Sequence, residues 1–150
     1  MPSTNIAAVG ALSDLAPVVL IVFVAAVLPY LFAIASGLPS QTAVARWGRG
    51  YDNRDPRGSL ERLEGWRRRA HFAQLNGHEA FGPFAAAMIF ALLSGLARAW
   101  LLGLGGAFLL FRVVYGVLYV ADRSTGRSVV WWCGVLVVVA LFLLSWVNGR

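Results

Sequence analysis

Apolar residues in this chain are gathered into long blocks separated by short polar stretches. From Leu15 to Leu38 there is no charged residue, enough to cross a hydrocarbon core that needs about 20 helical residues. Three further blocks follow, from Ala70 to Ala97, Ala99 to Ala121 and Val129 to Val147. The second is polar at its start and apolar from Ala80 onward, and the third is interrupted by Arg112. Pro17 falls near the first turn of the first block, where a missing N–H is tolerated, whereas Pro29 lies deep inside and predicts a kink. Pro39 then marks its end. The pattern predicts an all-α integral membrane protein, a compact bundle of four transmembrane helices at about 15–38, 70–97, 99–121 and 129–147. A long loop, 39–69, joins the first two.

Composition supports one membrane domain: 150 residues, 59% hydrophobic and only 13% charged. The basic residues are all arginine, and the net charge is +6. Nucleic acid is not the expected partner, because no soluble domain carries the charge and the arginines cluster beside an apolar block. They explain orientation instead. Arg46, Arg49, Arg54, Arg57, Arg62 and Arg67 to Arg69 fall in the first loop, and Arg123 and Arg127 in the last. Arg98 alone marks the link between the second and third blocks. The positive-inside rule therefore puts the first and last loops in the cytoplasm and both termini on the opposite side. Trp66, Trp131 and Trp132 then lie near one interface, with Trp100 and Trp146 near the other.

Within the first loop, "GRGYDNRDPRGS" (Gly48 to Ser59) reads as irregular, and Ser59 is a candidate cap for a short helix through "SLERLEGW". The small residues of "GLGGA" (Gly103 to Ala107) predict close helix contact. Cys133 reads as a core hydrophobe with no disulfide partner. No cleavable signal peptide is expected, since Met1 to Asp14 has no basic n-region. His71 and His78 are seven apart, whereas a helical metal pair wants three or four, so no metal is expected.

The informative stretch is "RRRAHFAQLNGHEAFGPF" (Arg67 to Phe84), where polar residues enter an apolar block. Spacings of three, four and seven put Arg69, Asn76, Glu79 and Pro83 on one face of the second span. A carboxylate at membrane depth is costly unless paired or hydrated, so Glu79 should face the bundle interior. Arg112, Tyr115 and Tyr119 recur at the same spacing on the third span, where an antiparallel neighbour would bring Arg112 against Glu79. Such a pair serves equally well as interhelical glue. With Arg127 and Ser128 the set offers cationic, acidic and hydroxyl groups suited to a small zwitterionic ligand.

Two motifs carry a resemblance: "AQLNGHEAFGPF" (Ala73 to Phe84), of the form A-x-x-N-x-x-E-x-x-x-P-F, and "RVVYGVLY" (Arg112 to Tyr119) followed by "RS" (Arg127, Ser128). The chain resembles the MAPEG family, membrane-associated proteins of eicosanoid and glutathione metabolism, and in particular its small bacterial members. The resemblance implies a homotrimer in a bacterial inner membrane, with glutathione as co-substrate in a cytoplasm-facing cleft between protomers. The function implied is a glutathione transferase or peroxidase acting on lipophilic electrophiles drawn from the bilayer. A non-catalytic lipid- or ligand-binding protein of the same fold is the alternative. Arg127, assisted by Ser128, would stabilise the glutathione thiolate, with Arg123 as the competing position. Asn76, Glu79, Tyr115 and Tyr119 would bind glutathione, together with Arg69, Gln74 and Arg112. One departure stands out: eicosanoid-type members commonly carry arginine four residues before the motif asparagine, and here that position is Phe72.

Overall fold

The computed structural model describes residues 3–36 and 54–150. The expected end of the first span at Leu38, the Pro39 stop and positions 39–53 of the loop lie outside these residues. The described chain is helical: α1 (Ser3–Ala35), α2 (Pro56–Glu61), α3 (Gly65–Leu93), α4 (Arg98–Val120) and α5 (Ser124–Asn148).

Among the described residues three segments are long and apolar enough to cross a membrane: Leu15–Ala35 of α1, Arg98–Val120 and Ser124–Asn148. The fourth expected span, on α3, does not meet that standard, and the reason is visible along the helix. Its apolar part, Ala80 to Leu93, measures about 21 Å at 1.5 Å per residue, short of a hydrocarbon core of roughly 30 Å. The preceding turns carry the arginines and the polar motif.

Element ends also differ from expectation. α3 begins at Gly65 rather than Ala70 and stops at Leu93, because Gly95 (φ +72) ends it in a left-handed conformation. The bonds Gly95 N–H to Leu92 O (3.0 Å) and Leu96 N–H to Ala91 O (3.0 Å) close this Schellman turn. α2 is capped by Asp55, not Ser59: the Asp55 carboxylate accepts from Gly58 N–H at 3.0 Å, and Pro56 supplies the preset first turn. Residues 56–59, expected to be irregular, are therefore helical, and the Ser59 hydroxyl donates back to Asp55 O at 3.0 Å.

α3 touches every other described helix. α1 packs on α3 and α4 from one side, and α5 packs on the same two from the other. Phe84, Met88, Leu141 and Val18 are fully buried where these helices meet, and Phe84 stacks on Phe108 with centroids 3.9 Å apart. The outer faces expose Leu20, Phe23, Leu136 and Trp146, as lipid-facing surfaces do. In lipid, helix association rests on close packing rather than hydrophobic burial, which explains the glycines at the contacts. A Cβ on Gly77 would lie 2.8 Å from the Pro29 ring, and one on Gly105 would lie 2.9 Å from Ile21. Of the "GLGGA" glycines, Gly105 makes the close approach, while Gly103 and Gly106 face open space. Pro29 lies inside α1 and seats its ring on that bare position of α3.

Candidate functional site

Between α3, α4 and α5 lies a cavity of about 260 Å³. α3 contributes Asn76, Glu79, Ala80 and Pro83, α4 contributes Phe108 and Arg112, and α5 contributes Trp131, Gly134, Val135, Val138 and Val139. Asn76, Glu79 and Pro83 share this wall because they are three and four residues apart on one helical face.

The buried guanidinium of Arg112 organises the polar end. Its Nη1 donates to Asn76 Oδ1 at 3.1 Å, and Asn76 Nδ2 in turn donates to Glu79 Oε2 at 3.4 Å. Arg112 therefore reaches Glu79 through Asn76, not by the direct contact its charge suggested. Asn76 lies a turn earlier on the same face and takes the place beside the guanidinium. The charge also lies over two aromatic faces of its own helix, Phe108 at 5.4 Å and Tyr115 at 5.0 Å. Gly134 makes the room: a Cβ there would stand 2.7 Å from Arg112 Nη2. Arg112 Nε is buried without a hydrogen-bond partner in the protein, a donor of the kind a polar ligand satisfies.

A second cavity, about 270 Å³, adjoins the first and is lined by Tyr115, Tyr119, Arg127, Ser128, Trp131 and Trp132. Trp131 belongs to both. Arg127 lies over the Tyr119 ring at 4.2 Å, and Tyr119 packs edge-on against Tyr115 at 5.6 Å. Ser128 Oγ donates to Ser124 O at 3.1 Å within the first turn of α5. Arg123, the competing arginine, precedes that turn and lines neither cavity.

Two residues of the expected set lie elsewhere. Gln74 lines neither cavity; its position on α3 falls on the side of Gly77 and His78, which meet Pro29 and Tyr30 of α1. Arg69 turns to the end of α4, with Nε donating to Val120 O at 3.0 Å and Nη1 lying 3.6 Å from Asp122 Oδ2. Phe72 points away from both cavities, beneath Arg68 at 5.4 Å, in a hollow shared with Arg57, Leu60 and Glu61 of α2. Among the described residues no group of His, Cys, Asp and Glu is placed to hold a metal ion.

The MAPEG family model matches residues 15–147, nearly the whole chain. The chain belongs to the MAPEG family. Comparison with curated proteins and with solved structures gives no match. The MAPEG match spans all four long helices from Leu15 onward, and with the three apolar segments it makes this an integral membrane protein. Membership also gives a context to residues the polar pattern passed over. Trp131 was legible only as an interface residue, and Gly134 and the valines after it are, within the sequence, indistinguishable from the rest of an apolar helix. Only the register of α5 against α4 selects them.

Proposed function

We propose that this MAPEG protein is a membrane-embedded, glutathione-dependent transferase or peroxidase acting on lipophilic electrophiles. The observation that carries the reading is the pair of cavities that share Trp131 in their walls, one with Arg127 and Ser128, the other with a polar end at Asn76 and Arg112 and apolar walls. Each falls just below the roughly 300–1,000 Å³ range of ligand pockets. Asn76, Glu79 and Arg112 supply the amide, carboxylate and guanidinium that a peptide bearing ammonium and carboxylate groups requires. Val135, Val138, Val139 and Pro83 supply the apolar wall for a lipid-soluble partner.

The chemistry asks little more. Glutathione loses its thiol proton to water, and the guanidinium of Arg127 holds the resulting thiolate, the reactive nucleophile. The sulfur then forms a bond to the electrophilic carbon, and the leaving group departs with its electron pair. Arg127 acts as a fixed cation rather than a base, because guanidinium stays protonated. The reading places α3 as a fourth span, its polar half facing the cleft instead of lipid, as intramembrane charges require. It places the cleft toward the cytoplasm and between protomers of a homotrimer.

A non-catalytic ligand-binding role is the second reading, favoured by Phe72, which offers no carboxylate grip. The two separate on glutathione binding and turnover of a generic electrophile by purified protein, with Arg127→Ala and Asn76→Ala alongside. The enzyme reading expects Arg127→Ala to lose about a hundredfold in kcat, as removal of one stabilising donor does, with binding largely retained. Glutathione bound without turnover would support the second reading. A wild type that neither binds glutathione nor turns over sinks the enzyme reading.

A further inference from the structure

The turn between α4 and α5 is built in an unusual way, and it carries the residues that follow into the second cavity. α4 ends in a Schellman motif: Asp122 N–H donates to Tyr119 O at 3.2 Å and Arg123 N–H to Leu118 O at 2.9 Å. The matching turn after α3 uses Gly95 at its left-handed position, whereas here that position is Asp122, with φ +61. Among the described residues Asp122 is the only non-glycine with positive φ. L-residues resist this conformation, so glycine would fit the backbone better. What Asp122 adds is a carboxylate 3.6 Å from Arg69, whose Nε already caps Val120 O at 3.0 Å. Arg69 thus bonds the last carbonyl of α4 and pairs with the exposed carboxylate of the strained residue.

This clamp joins two parts of the cleft. Arg69 lies two turns before Asn76 on α3, and Asp122 lies between Tyr119 and Arg127. Arg127 begins from the same turn, its N–H donating to Arg123 O at 3.0 Å. We infer that Arg69 is a positioning residue: through Val120 and Asp122 it fixes the start of α5, with Arg127 and Ser128, against the helix that presents Asn76 and Glu79. The consequence for catalysis rests on the glutathione reading above; the fixing of the turn does not.

Asp122→Gly distinguishes positioning from mere structural support. It relieves the backbone strain yet removes the anchor, so support alone predicts a protein at least as well ordered as wild type. Amide hydrogen exchange on the full chain in lipid nanodiscs reads this directly, with Arg69→Gln and the swapped pair Arg69→Asp with Asp122→Arg in parallel. Both single variants are expected to speed exchange across residues 121–128 while the interiors of α3, α4 and α5 keep wild-type protection. Thermal midpoint in Asp122→Gly should be unchanged or higher. The swap should restore protection in part, recovering the ion pair but not the carbonyl cap. With glutathione and an electrophile, the single variants should lower kcat by about tenfold or more, as small displacements of a catalytic group do, with KM near wild type. Wild-type exchange at 121–128 in both single variants overturns the inference, as does loosening spread evenly through the bundle. If the wild type shows no turnover, the glutathione reading falls and the exchange pattern alone decides the role of Arg69.

Discussion

The two sides of α3 use glycine for opposite purposes. Toward α1 the packing is closed: bare Gly77 admits the Pro29 ring, and Tyr30 meets His78 edge-on at 5.0 Å. Away from α1, the α5 side is open, and there Gly134 leaves space not for a neighbouring helix but for the Arg112 guanidinium. A missing side chain brings backbones together on one side and admits a buried cation on the other. Packing on the first side is tuned for association in lipid; on the second it gives up close contact to keep a cavity with a polar end.

Removing that cation tests the contrast most severely. Arg112→Met replaces a buried guanidinium, bonded to Asn76 rather than directly to a carboxylate, by an apolar chain of similar length, so the desolvation penalty it relieves offsets the hydrogen bond it loses. The thermal midpoint in detergent should therefore hold or rise. Affinity for glutathione should fall by about ten- to a hundredfold, because a hydrogen bond from a charged group is worth roughly 1.5–3 kcal/mol. Calorimetric titration checks the second part. A midpoint that collapses instead would mean that Arg112 serves assembly, the interhelical glue its placement also permits.

A matched pair of substitutions sharpens the same comparison at lower cost. In Gly77→Ala the new methyl meets a rigid proline ring, and overpacking of this kind costs about 1–3 kcal/mol. Helix propensity returns up to about 1 kcal/mol, so the midpoint should drop modestly with affinity per folded molecule unchanged. In Gly134→Ala the methyl meets the far end of a flexible side chain, which moves aside. Stability should hold or gain slightly, whereas glutathione affinity should fall severalfold as Arg112 leaves Asn76. Equal behaviour of the two variants would dissolve the distinction between the faces.

How far the sequence carries such a comparison depends on the physics involved. The long apolar blocks gave the helices, since a bilayer imposes length and composition on whatever crosses it. α3 fell short of that signature because its first half carries the polar motif. Asn76, Glu79 and Pro83 were legible as a shared face, because helical spacing alone decides it. What Arg112 touches was not legible: attraction of opposite charges suggested Glu79, and only the relative height of the two helices puts Asn76 in between. Arg69 illustrates a further limit. It lies on the right side of α3 by spacing, yet a long side chain also reaches past the end of its own helix, and the last carbonyl of α4 claims it. Asp55 as cap of α2 was available in "DP", an N-cap residue before a first-turn proline.

The smallest expected effect comes from the opposite end of the bundle. There Asn148 Nδ2 donates to Ser94 O at 2.6 Å, tying the end of α5 to the end of α3. The contact is of the same kind as Arg69 on Val120: a side chain from one helix caps a terminal carbonyl of another. Its surroundings differ. Neither Asn148 nor Ser94 lines either cavity, and the adjoining left-handed position is Gly95, free of strain. Asn148→Ala should accordingly cost about 0.5–1.5 kcal/mol, the net worth of one ordinary hydrogen bond, read as a small fall in thermal midpoint. Glutathione affinity and turnover should not move. If they do, a terminal cap anywhere in this bundle reaches the cleft, and the special position of Arg69 beside Asp122 loses its meaning. If they do not, the same contact is a fastening at one end and a positioning device at the other, and what separates them is the residue that each turn carries onward.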